Sequence, residues 1–207
     1  MVILGLTGSI GMGKTTAANA FRSLSISVYD ADNTVHNLML PGGDAAEEIL
    51  KAFPDVEKNG RIDRQTLGTI VFPDRKKLKL LENILHPLVK NKRNAFLANS
   101  ARKQERLVVL DIPLLLETGN DIYCDAVAVV SAPSIIQKHR VLKRPGMTYE
   151  RFQMIKRHQM ADHLKCRIAD FVIQTGLGHL HSLRTITKIV SITKNWRSRC
   201  WHPAYNK

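Results

Sequence analysis

Paired cysteines, membrane-length apolar runs, internal repeats and low-complexity segments are all missing from this 207-residue chain. Its three cysteines, Cys124, Cys166 and Cys200, form no C-x-x-C pair and are odd in number, which argues against a disulfide framework or a zinc site. The longest apolar runs, residues 107–110 with 112–116 and residues 126–130, fall well short of the roughly 20 residues of a membrane span. Residues 1–7 carry neither a basic leader nor a full apolar signal region. The expectation is a soluble, cytoplasmic protein kept reduced. Acidic residues are scarce in one place only. Residues 138–207 hold 15 basic and 3 acidic groups, whereas residues 1–137 hold 16 and 15, so nearly all of the net +13 sits in the last third. Such an excess fits a polyanionic partner: nucleic acid, an anionic membrane or phosphate-bearing small molecules. The basic segment has few aromatics for base stacking and no nucleic-acid-binding motif, which counts against a nucleic-acid-binding protein.

What is present fits a folded domain, with 44% apolar and 24% charged residues. Short runs rich in Val, Ile and Leu at residues 2–6, 27–29, 107–110, 126–130 and 171–173 predict buried parallel strands. Helix-like stretches alternate with them, giving an α/β fold with helices on both faces of a central sheet. From residue 30 to 106 no strand is predicted. Helical pieces at 31–40, 44–52, 64–70 and 75–98 fill the interval, divided by Pro41-Gly42-Gly43 and Asn59-Gly60. This is too long for a crossover loop and predicts a mostly helical, substrate-covering insertion. After Lys194 the chain has no periodicity, and a frayed or surface-docked tail is expected.

The strongest motif is Gly8-Ser9-Ile10-Gly11-Met12-Gly13-Lys14-Thr15, which fits G-x-x-x-x-G-K-[ST] between the first strand and a helix at 15–24. Gly8, Gly11 and Gly13 let the backbone, Met12 included, curl so that N–H groups face phosphate oxygens. The following helix adds its partial positive charge. Lys14 would reach the β- and γ-phosphates of ATP, and the Thr15 hydroxyl would ligate Mg²⁺.

Three further groups fit phosphoryl transfer. Asp30 and Asp32 follow the second strand, at the sheet edge where ligands bind. One of them could accept the proton of an attacking hydroxyl, Asp32 before Asp30, because Asp30 also suits a helix cap. Asp111 ends the third strand, where an acid commonly stands near Mg²⁺ or its water shell. It is followed by an apolar wall, Ile112 to Leu116, and a second carboxylate, Glu117. In residues 138–167, Arg140 and Arg144 stand four apart on one predicted helix face. Pro145-Gly146 interrupts, and Thr148 is placed to cap a second helix. Helix, breaker and helix with arginines is the pattern of a mobile lid over phosphates.

Taken in order, these segments resemble the dephospho-CoA kinases. The resemblance rests on Leu6 to Thr16 at the phosphate loop, Asp30-Ala31-Asp32, Leu85-His86-Pro87 and Asp111-Ile112-Pro113-Leu114-Leu115-Leu116-Glu117. It continues through Gln137-Lys138-His139-Arg140, Arg157-His158-Gln159-Met160 and Ala169-Asp170-Phe171-Val172-Ile173. It implies a P-loop kinase fold: a five-stranded parallel sheet flanked by helices, with a helical substrate-binding insertion and a lid. The implied division is residues 1–30, 106–137 and 168–207 as nucleotide-binding core, 31–105 as substrate domain and 138–167 as lid. The implied reaction carries the γ-phosphate of ATP to the ribose 3′-hydroxyl of dephospho-CoA, giving CoA and ADP with Mg²⁺, without nucleic acid or membrane. Asp32 matches the family's general base, Lys14 its phosphate-binding lysine and Arg140 an arginine directed at substrate and phosphates. Thr16 and Arg144 fall among the implied ATP ligands, and His86 and Leu114 among the substrate contacts. Departures are Ser9 for a frequent Gly and Met12 for a frequent Ser. Gln174-Thr175-Gly176 stands where an Asn usually precedes the Gly, leaving open whether Thr175 takes over an adenine contact. The phosphate loop by itself cannot name the acceptor, so a nucleoside or other small-metabolite kinase is the alternative.

Overall fold

The computed structural model describes residues 1–201, arranged as two compact units, one of residues 1–29 with the described residues from Ala98 onward and the other Asp30–Leu97. In the first unit the chain begins with β1 (Val2–Thr7), and all six of its residues are buried. β5 (Leu107–Asp111) and β6 (Ala126–Ser131) are equally buried and flank it in parallel register. β2 (Ser27–Asp30) lies outside β5 and β7 (Phe171–Gln174) outside β6, giving the order β2-β5-β1-β6-β7. Strands covered on both faces have no polar side to present, which is why they read as continuous apolar runs.

Helices α1 (Lys14–Ser23) and α9 (His179–Thr193) supply one apolar layer: Ala17, Ala18 and Phe21 from α1, Ile186 and Ile189 from α9, against Leu4, Leu6, Val109 and Ala128 of the sheet. α6 (Ser134–Leu142), α7 (Tyr149–Arg157) and α8 (Asp162–Ile168) lie between β6 and β7 in sequence. Thr148 caps α7 by accepting from the Arg151 N–H. The three cysteines are free thiols. Burial, aided by the charges of Asp162 and Asp125 respectively, pushes the Cys166 and Cys200 thiols up. Among the described residues no helix is long and apolar enough to cross a membrane.

The second unit is built from α2 (Ala31–Leu38), α3 (Ala46–Ala52), α4 (Arg64–Val71) and most of α5 (Arg75–Arg102). Its own apolar cluster joins Leu38, Ile49, Phe53, Val56, Leu67 and Leu81. The sequence placed no strand here. The structure has a two-residue hairpin, β3 (Glu57–Lys58) with β4 (Arg61–Ile62). Asn59 and Gly60 make its turn with φ of 52° and 70°, the left-handed pair that a two-residue hairpin needs. Strands this short leave no alternation to read, although the Asn-Gly pair carried the signal.

After α9 the chain docks instead of fraying. Trp196 stacks on Phe171 with ring centroids 5.9 Å apart. Asp125, 5% exposed, then collects the backbone: its carboxylate accepts from Ile3 N–H at 2.8 Å, Ser198 Oγ at 2.8 Å, Arg199 N–H at 2.5 Å and Cys200 N–H at 3.0 Å. Residues 202–207 of the tail lie outside the described residues. Removing this acceptor strands several donors in a poorly hydrated place. Asp125→Ala is therefore expected to lower stability by about 3 kcal/mol, read as a reduced urea midpoint, with Trp fluorescence reporting release of the tail. A midpoint unchanged within error would show that the carboxylate does not hold it.

Candidate active site

The phosphate loop leaves β1 at the carboxyl edge of the sheet, between β5 and β6, where α/β proteins place ligands. Gly8 starts it against β6 so closely that a Cβ there would come within 2.2 Å of Val130 Cγ2 and 2.8 Å of the Val130 carbonyl oxygen. Gly13 ends it at a φ of 93°, a conformation strained for any side-chain-bearing residue. α1 starts at Lys14, and Thr15 and Thr16 are exposed in its first turn. Register pairs Leu6 of β1 with Asp111 of β5. This sets the Asp111 carboxylate, 2% exposed, beside the loop. The Lys14 ammonium lies 2.8 Å from Asp111 Oδ1. The acid expected in the Mg²⁺ shell is therefore also the counter-ion of the lysine expected to bind phosphate.

Arg140 lies on α6, and its guanidinium donates to Thr175 Oγ1 at 3.0 Å and to the Thr175 carbonyl at 2.9 Å. Thr175 Oγ1 in turn donates to the Met12 carbonyl at 2.6 Å. The question left by the sequence, whether Thr175 replaces an adenine contact, meets a hydroxyl already engaged on both sides and 8% exposed. Arg144 departs from expectation. α6 ends at Leu142, so Arg144 is exposed in the following turn, with its N–H on Val141 O, and does not share a helix face with Arg140. The cause is Pro145, which pushes the residue before it out of the helical region.

Glu117, the second carboxylate after β5, is bound within the protein. It accepts from the Met160 N–H at 2.9 Å and pairs at 2.8 Å with Lys165, which is fully buried. Leu114, 40% exposed, stands in the segment between Asp111 and Glu117. Asp30 is the N-cap of α2, its carboxylate accepting from Asn33 N–H at 2.9 Å, so the capping role holds for it. Asp32 is exposed in the first turn of α2, and His86 is exposed on α5. Among the described residues no group of three or more His, Cys, Asp or Glu side chains could hold a metal by itself.

Besides Thr175, whose expected contact was adenine, two residues that the sequence reading gave no individual role touch the loop: Gln137 and Gln159. Gln137 Nε2 donates to the Ile10 carbonyl at 2.8 Å, and the Ile10 N–H donates to Gln159 Oε1 at 3.0 Å. A usable signal existed for Gln137. It shares the buried face of α6 with Val141, four residues on, and a buried amide requires a partner.

The family model described as dephospho-CoA kinase matches residues 2–178. The chain is 54% identical to the dephospho-CoA kinase of Paramagnetospirillum magneticum over 165 residues, 80% of this chain and 78% of that one. With the dephospho-CoA kinase of Rhodospirillum rubrum it is 45% identical over 201 residues, 95% of each. Among solved structures, TT1252 from Thermus thermophilus superposes with a TM-score of 0.81 at 34% identity, covering 92% of this chain and 96% of that one. With the phosphate loop, the Lys14–Asp111 pair and this similarity together, the chain belongs to the dephospho-CoA kinase family.

Proposed function

We propose that the chain transfers the γ-phosphoryl group of ATP to the ribose 3′-hydroxyl of dephospho-CoA, giving CoA and ADP, and that Asp32 accepts the hydroxyl proton. The observation that carries this reading is the phosphate loop with Lys14 paired to Asp111, in a chain of this family. The loop N–H groups and Lys14 cradle the phosphates, and Arg140 and Arg144 offset charge as the phosphoryl group moves. Such transfer is mostly positioning and electrostatics, so the residues act by holding the reactants in line. Asp32 stands two residues beyond the end of β2, and an ionised carboxylate at that edge suits the base. His86 and Leu114 contact the acceptor, residues 31–105 hold it, and residues 138–167 act as the lid.

Mg²⁺ fits the side chains present. A hard cation that keeps several waters and takes phosphate oxygens needs few protein ligands, and here the Thr15 hydroxyl and, through water, the Asp111 carboxylate would supply them. When bound it offsets charge on the β- and γ-phosphate oxygens. The free thiols fit the reducing cytoplasm as the place of work.

An ADP-release assay with dephospho-CoA, AMP, adenosine and CoA as acceptors tests the substrate. Only dephospho-CoA should support rapid turnover, and no turnover with it while ATP still binds would remove this reading. Asp32→Asn should lower kcat by about 10²- to 10⁴-fold with both KM values nearly kept. Undiminished kcat would take Asp32 out of the reaction. Chelation of divalent cations should stop turnover, and added Mg²⁺ should restore it; continued turnover in excess chelator would exclude the metal.

A further inference from the structure

A loop that binds phosphate through main-chain N–H groups must turn carbonyls away from the anion, and each buried carbonyl so turned needs a donor. In this chain the Ser9 carbonyl takes the Met12 N–H within the loop, but two other carbonyls find their donors outside the glycine-rich motif. Gln137, 2% exposed on α6, donates to the carbonyl of Ile10 at 2.8 Å, and Thr175, beyond β7, donates to the carbonyl of Met12 at 2.6 Å. The N–H of Ile10 is held from its other side by Gln159 Oε1, in the segment between α7 and α8. The peptide groups at the tip and the shoulder of the loop are thus fixed by side chains 127, 163 and 149 residues away in sequence.

We infer that Gln137 and Thr175 are positioning residues for the ATP phosphates: they hold the Ile10 and Met12 carbonyls outward and thereby set the direction of the loop N–H groups. The inference rests on the ATP-binding reading above and deepens it. Thr175 carries a second duty. Its hydroxyl and carbonyl both receive the Arg140 guanidinium, so one threonine ties the phosphate loop to the arginine assigned to phosphate charge. Gly13 packs against the same side chain, since a Cβ there would lie 3.0 Å from Thr175 Oγ1. Serine could replace both hydroxyl bonds, whereas valine keeps the shape and loses them.

Thr175→Val, Thr175→Ser and Gln137→Met decide the matter. Binding of a non-hydrolysable ATP analogue with Mg²⁺ is measured by calorimetry without acceptor, alongside kcat and both KM values. Thr175→Val and Gln137→Met should weaken nucleotide binding and raise the KM for ATP about tenfold, with the KM for dephospho-CoA within about twofold. Thr175→Ser should stay near wild type. The inference is overturned if Thr175→Val binds nucleotide as wild type does, if both KM values rise together, or if serine fails to rescue. Should Gln137→Met not fold, the two threonine variants suffice to decide between these outcomes. Because binding is read without acceptor, failure of wild type to form CoA would remove the acceptor assignment and leave this result intact.

Discussion

The ion pair between Lys14 and Asp111 is the constraint around which the sheet edge is organised. Asp111 ends a buried strand and Lys14 opens α1 beyond the phosphate loop, with side-chain exposures of 3% and 16%, where an uncompensated ion would be costly. Removing one partner of such a pair usually destabilises by about 3–5 kcal/mol, because the other charge stays behind. The pair forms because β1 and β5 run parallel in a register that ends them together, Leu6 beside Asp111. Strand register, loop start and lysine position are therefore one decision. Gly8, pressed against Val130, and Gly13, in its left-handed conformation, are the local terms of it.

Much of this was legible along the chain. The five strands of the sheet announced themselves because burial on both faces leaves only apolar residues, and the phosphate loop because its glycines and lysine have fixed spacing. The β3–β4 hairpin escaped because two residues per strand give no period. Arg144 was misplaced because the spacing of four from Arg140 spoke louder than Pro145, which stops the helix first. Asp30 fell to its cap and Glu117 to a buried lysine. The loop contacts of Gln137 and Thr175 were not legible for a different reason. Their partners are backbone atoms, whose identity no side-chain pattern records, and the contacts span most of the sequence.

The basic last third has also lost its uniform character. Arg140 is bound to Thr175, Lys165 is buried against Glu117, and the backbone and guanidinium of Arg199 reach Asp125. Several of its cations thus have internal partners. A charge excess that first pointed to a polyanion is partly a set of structural ties and partly the arginines proposed to meet the phosphates.

The strand order has a consequence for how the chain is made. β1 is synthesised well before both its neighbours, since Val2 pairs with Leu107 and Leu4 with Ala126. On the ribosome its six residues wait unpaired until those segments emerge, while residues 30–97, which own a separate apolar cluster, can condense in the meantime. Closing this sheet is therefore a late event of translation, and the nascent chain's window of exposure to aggregation is set by the distance between β1 and its partners.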